Sequence, residues 1–190
     1  MNSLSRKNIF ILIIFLLTVI FILTLSMTNN SVNHEFSDHG KMLFSSVRKI
    51  GLKIGEKYGM TYSGAGGGAK SDGIWLMSLS LERKGDPLSE NDARRLIIKC
   101  VNDFLAQVNS DEKLEPFLKN HPFKAANLAL TIFNHNKDSS LHFFPYISVV
   151  TNSKGKIGYF TEDPSTKHGY HTEKYETYEE AVAILSQNKE

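Results

Sequence analysis

The stretch from Ile9 to Leu25, IFILIIFLLTVIFILTL, constrains this chain more than any other feature. It runs seventeen residues with only Thr18 and Thr24 as mild polar interruptions. As a helix extended through Ser26 and Met27 it reaches about 28 Å, close to the hydrocarbon thickness of a bilayer. Backbone polar groups in lipid have no water to pair with, so a single span must be helical whatever its Ile and Phe content. Residues 1–27 are therefore expected to form a cytoplasmic tip and a transmembrane anchor, with membrane contact through residues 9–27. Arg6 and Lys7 precede the run, whereas Ser26 to Asp38 carries no Lys or Arg. The positive-inside rule then leaves the N-terminus in the cytoplasm and everything after the span outside it, in the periplasm of a Gram-negative cell. A cleaved signal peptide is the competing reading, since Thr24 and Ser26 are small enough to flank a cleavage site. Against it, the run is longer than the apolar core of about 7–15 residues usual in such signals. No cysteine follows the run to take a lipid anchor.

Beyond the anchor, residues 28–36 read as a short polar stalk rich in Asn and Ser. Residues 37–190 have the length of one domain, able to bury roughly two thirds of its unfolded surface without metal or disulfide. Cys100 is the only cysteine, so no intrachain disulfide can help. Two of the 22 cationic residues, Arg6 and Lys7, precede the span, leaving 20 to balance 20 acidic ones. That balance, with no basic stripe, argues against a nucleic-acid partner.

Periodicity in the domain gives the order α-β-β-α-α-β-β-β-α. Leu43, Val47, Ile50 and Ile54 recur at helical spacing from Asp38 to Tyr58, with Gly59 as a C-cap. Gly51 and Gly55, four apart, leave room on that helix for a close neighbour. Thr61 to Ser63 is a short first strand, and Trp75, Met77, Leu79 and Leu81 alternate with Ser78 and Ser80 along a half-buried second one. Ser89 with Asp92 caps a helix whose face is Ile97, Val101, Phe104 and Val108. A short helix from Glu112 to Lys119 follows, and then strands over 126–133, 143–151 and 156–161. Asn152 to Gly155 is a hairpin turn between the last two. A polar loop from Glu162 to Glu176 leads to a final helix started by the capping box Thr177/Glu180, burying Tyr178, Val182 and Leu185. The fold class is α+β: a mostly antiparallel sheet of about five strands with helices packed on one face.

Four features approach a functional motif. GAGGGAKS at Gly64–Ser71 misses the phosphate-binding pattern GxxxxGK[ST] by Ala69, and Asp72-Gly73 and a strand follow where a helix N-terminus is needed. It is expected to be a flexible loop, with no nucleotide and no cofactor. His168 and His171, spaced HxxH near Glu162, Asp163 and Glu173, are weak candidates for metal ligands, because no third ligand is fixed by spacing. Cys100 lies on the apolar side of a helix, where a thiol is a small hydrophobe. Phe143, Phe144, Tyr146, Tyr159 and Phe160 cluster on two strands, as core or as a stacking face for a peptide.

Asp92–Leu130 reads DARRLIIKCVNDFLAQVNSDEKLEPFLKNHPFKAANLAL. Its frame of Ala93-Arg94-x-Leu96, Val108-Asn109, Pro116-Phe117-Leu118, His121-Pro122-Phe123 and Asn127 resembles small exported or membrane-anchored bacterial proteins of no assigned function. The glycine run before a strand and TYEEA at Thr177–Ala181 fit the same resemblance. It implies a bacterial envelope location and supplies no catalytic residue. The expected function is a non-catalytic tethered domain that binds a protein or peptide partner. The alternative is an extracytoplasmic hydrolase or metal-dependent enzyme built on the 162–176 loop.

Overall fold

The computed structural model describes residues 37–140, 142–163, 165 and 169–187. The expected membrane segment, the stalk and His168 lie outside these residues. No helix among the described residues is long and apolar enough to cross a membrane.

The chain enters through helix α1, Asp38–Tyr58, capped by the Ser37 hydroxyl, which accepts from the Gly40 N–H at 3.2 Å. It ends at Gly59 in the left-handed region, φ 66°. Its stripe of Leu43, Val47, Ile50 and Ile54 is buried against β1 (Thr61–Lys70) and β2 (Gly73–Lys84). Gly51 permits that approach: a Cβ there would stand 2.5 Å from Leu79 Cδ1 and 2.9 Å from Tyr62 Cδ2. Helix α2, Glu90–Asn109, starts where the Ser89 hydroxyl accepts from the Asp92 N–H at 3.2 Å. Its expected face of Ile97, Val101, Phe104 and Val108 is wholly buried, together with Cys100.

After α2 the expected short helix is only a 3-10 turn at Glu115–Phe117, because Pro116 supplies no N–H to extend it. A second such turn, Ala125–Asn127, delivers the chain to β3, Leu128–His135. Strand β4 is Val149–Ser153, shorter than the expected 143–151. Pro145 has no N–H for a ladder, and Phe143–Tyr146 instead closes a turn, with Tyr146 N donating to Phe143 O at 3.0 Å. The hairpin to β5 (Lys156–Asp163) uses Lys154 and Gly155, both at positive φ, as a two-residue turn requires. Strand β6, Gly169–Thr177, pairs with β5 over much of what was expected to be a polar loop. Helix α3, Tyr178–Gln187, begins with the expected capping box: Glu180 Oε2 accepts from Thr177 N at 2.7 Å, and Thr177 Oγ1 accepts from Glu180 N at 3.1 Å. Tyr178, Val182 and Leu185 are half-buried against the core, with Ala181 fully buried.

The six strands lie in the order β1-β2-β3-β4-β5-β6. Every neighbouring pair is antiparallel except β2 and β3, joined by the α2 crossover. This is the α+β architecture expected, with six strands rather than about five. The core lies between the sheet and the three helices. Met77, Leu79, Leu81, Leu128, Leu130, Ile132, Val150, Ile157 and Tyr159 face it from the strands. Their register partners of opposite parity face away: Ser78 beside Ala129, Ser80 beside Thr131, Thr151 beside Gly158.

The glycine run is not a loop. Gly64, Gly66 and Gly68 pair with Ser80, Ser78 and Leu76 as the outer strand of the sheet. Glycine carries none of the side-chain signals that mark a strand, so pairing rather than pattern placed it there. Trp75 also departs from its expected face. It is the extra residue of a bulge, since Gly68 pairs with Leu76 but Ala69 with Ile74. Ile74 therefore takes the core position and Trp75 stays 42% exposed. Its indole lies where a Gly68 side chain would be, 2.3 Å from an ideal Cβ.

Candidate functional site

Two segments separated in sequence carry most of the exposed aromatic side chains of the described residues. Of eight exposed large apolar side chains among the described residues, five are Phe143, Phe144, Tyr146, Tyr170 and Tyr175. Phe144 is the most open of them, at 74%. The 136–148 connection places the first three. Its Phe143 bridges to Glu162 in parallel, taking the position beside β5 that β4 would occupy had it been longer. Asn134 fixes this connection from below, with Nδ2 donating to Ile147 O at 3.0 Å and Oδ1 accepting from Arg83 Nη1 at 2.6 Å. Ser148 ties it to β5. Its hydroxyl accepts from Glu162 N at 3.0 Å and donates to His142 O. The β5–β6 hairpin places the other two aromatics. Tyr175 packs edge-on against Phe160, with ring centroids 5.9 Å apart, over Gly158, where a side chain would collide with both rings.

The sequence candidates separate. Phe143, Phe144 and Tyr146 are exposed, but Tyr159 is in the core. Tyr159 donates from its hydroxyl to Glu176 Oε1, and burial, with that bond, pushes its titration well above the usual phenol range. His171 is 69% exposed on its side chain and meets Asp163 Oδ2 at 3.0 Å. Glu162 is on the adjacent residue and so on the other face of β5 from Asp163. No group of three metal-ligating side chains occurs among the described residues. Cys100 is fully buried, and desolvation pushes its thiol up to about 12, holding it protonated. Lys70, at the end of β1, lines a hollow of about 310 Å³ with Trp75, Lys119, Asn120 and Asn127. Lys119 Nζ there binds Asp72 at 2.7 Å. The glycines before Lys70 are extended, so their N–H groups do not wrap around a common point as a phosphate cradle needs.

Two groups escaped the sequence reading. Tyr170 and Tyr175 fall in the expected polar loop, and only the alternation of Tyr175 with Lys174 and Glu176 points to a strand. Arg94, which the sequence marks only as part of the 93–96 frame, is buried on the core side. Its Nε donates to Glu176 Oε1 at 2.7 Å, its Nη1 to Asn91 Oδ1 at 3.2 Å and its Nη2 to Glu90. The guanidinium also lies over the Tyr159 ring, 5.5 Å from its centroid. Burial opposes its charge, but the bonds to Glu176 and Glu90 outweigh this and hold its pKa above the normal value. The signal was present: Arg94 begins the stripe 94, 97, 101, 104, 108 whose other members are apolar.

The fold defines a six-stranded α+β domain with one face left open by its helices. Comparison with known protein families, with curated proteins and with solved structures finds no match for the chain.

Proposed function

We propose that this chain is a membrane-tethered envelope domain that binds an extended segment of a protein partner at the aromatic end of its open sheet face. The observation that carries the reading is the concentration of exposed aromatic side chains on the 143–146 turn and β6. Isolated exposed apolar residues need no explanation, whereas several exposed aromatic side chains on neighbouring segments favour burial by a partner. Among the described residues the helices pack on the other face, and this one is where the partner would lie. The tether itself rests on the Ile9–Leu25 run and its flanking charges.

Two experiments test the two halves. A reporter active only outside the cytoplasm, fused after Glu190, gives signal if the orientation is right; a fusion active only in the cytoplasm reverses it. For the surface, benzoylphenylalanine in place of Phe144 should give a discrete crosslinked adduct in living cells. The same group in place of Leu52, exposed on α1, should give none. Equal labelling at both positions, or none at Phe144, removes the basis for a docking surface there.

A further inference from the structure

Phe143, Glu162 and Tyr170 are neighbours in one row across the end of the sheet. Phe143 bridges Glu162 in parallel and Glu162 pairs with Tyr170 in antiparallel register, so all three side chains leave the same, open face. The exposures are uneven. Phe143 and Tyr170 are each 46% exposed, but Glu162 between them is only 7% exposed. The carboxylate therefore lies sunk between two half-open rings. Its negative charge acts on the Tyr170 hydroxyl, whose titration is pushed up by burial and then by Glu162.

Glu162 Oε2 is buried with no hydrogen-bond partner. The other acid buried among the described residues, Glu176, is met by Arg94 and by the Tyr159 hydroxyl. Burying a carboxylate oxygen without a donor is unfavourable, and native structures rarely leave one so. A cation removes that penalty, and two aromatic faces beside it add their own attraction for positive charge. A neutral apolar ligand would bury the acid further and gain nothing from it.

We propose that Glu162, walled by Phe143 and Tyr170, is the seat for a lysine or arginine side chain of the partner. This deepens the partner reading above and rests on it for the identity of the ligand as a peptide. The rings part by rotamer motion to admit the cation, which then lies against the carboxylate with the ring faces on its flanks. The partner segment is accordingly basic at the position that meets the row, with apolar neighbours for Phe144 and Tyr146.

The test uses the full chain in a neutral detergent, with ring-labelled tyrosine observed by NMR and the Tyr170 signal assigned through Tyr170→Phe. The probes are n-butylammonium chloride, which carries the lysine head group, and n-butanol, its neutral counterpart, each at matched ionic strength. The expected result is a saturable shift of the Tyr170 signal with n-butylammonium, at least tenfold weaker with n-butanol. Glu162→Gln should weaken the n-butylammonium response tenfold or more. Since Glu162 is buried, Phe143→Leu serves as a second variant that keeps the acid and should weaken the response several-fold. Three results would overturn the proposal: no saturation, an equal response to n-butanol, or a response unchanged in both variants. Loss of the cation response with the Phe144 adduct retained defeats this inference alone. Retention of the cation response without the adduct defeats the partner reading alone.

Discussion

Arg94→Ala is expected to destabilise the domain by about 3–5 kcal/mol, the cost of breaking a buried ion pair and leaving one charge behind. The Glu176 side chain is only 4% exposed. Without Arg94 it would keep the Tyr159 hydroxyl and a Lys174 ammonium at 3.9 Å, neither of which replaces the two guanidinium contacts at 2.7 and 3.3 Å. For a domain of this size that loss lowers the melting temperature by roughly 10 °C. The pair is not thereby a net source of stability. Removing both charges in Arg94→Met/Glu176→Leu should recover most of the loss, since apolar replacement of a whole buried pair is often neutral. A melting temperature within about 2 °C of the parent for Arg94→Ala would mean that the pair is solvated.

Phe104→Ala should cost about 3–5 kcal/mol, through lost apolar transfer and an unfilled cavity. Phe104 is fully buried near the centre of the α2 face, between Val101 and Val108, with Cys100 beside it. No neighbour is free to collapse into the space, because α2 is held against the sheet along its length and joined to α1 through Asp103. That carboxylate accepts from Lys57 Nζ at 2.6 Å and from the Tyr58 hydroxyl at 2.8 Å. Urea unfolding should show a lower midpoint at an unchanged denaturant slope. A loss below about 1 kcal/mol would contradict the packing described.

The elements legible in the sequence were those whose chemistry is local. Ser89/Asp92, Thr177/Glu180 and Gly59 each announced a helix end, and the 152–155 turn announced its hairpin, because the groups that make them lie within a few residues. The Ile97–Val108 stripe was equally plain. Strand β1 is legible only over residues 61–63 and β6 not at all, for opposite reasons. In β1 glycine erases the alternating pattern, and in β6 a core-facing position is filled by Glu176, which is acceptable only because Arg94 comes from a helix 82 residues away. The aromatic surface was legible in part: Phe143, Phe144 and Tyr146 were marked as a cluster, but their union with Tyr170 and Tyr175 depends on strand pairing. Trp75 was placed on the wrong face because a one-residue bulge reverses parity without changing composition.

The lone parallel pairing of β2 with β3 has a consequence for how the chain reaches its native state. On one side of that seam stand α1, β1 and β2, on the other α2, β3 to β6 and α3; within each side successive strands close by turns or short connections. Among the strand pairings the seam alone joins partners about 50 residues apart, across eight residue pairs from Met77/Leu128 to Lys84/His135. Closing a loop of that length costs about 3–4 kcal/mol of chain entropy before any pair is made. The two halves thus gain their local contacts cheaply and commit to each other late, once α2 has brought β3 alongside β2. Such an order concentrates the kinetic barrier in one ladder and makes the eight-pair junction, not any hairpin, the place where the domain becomes a single cooperative unit.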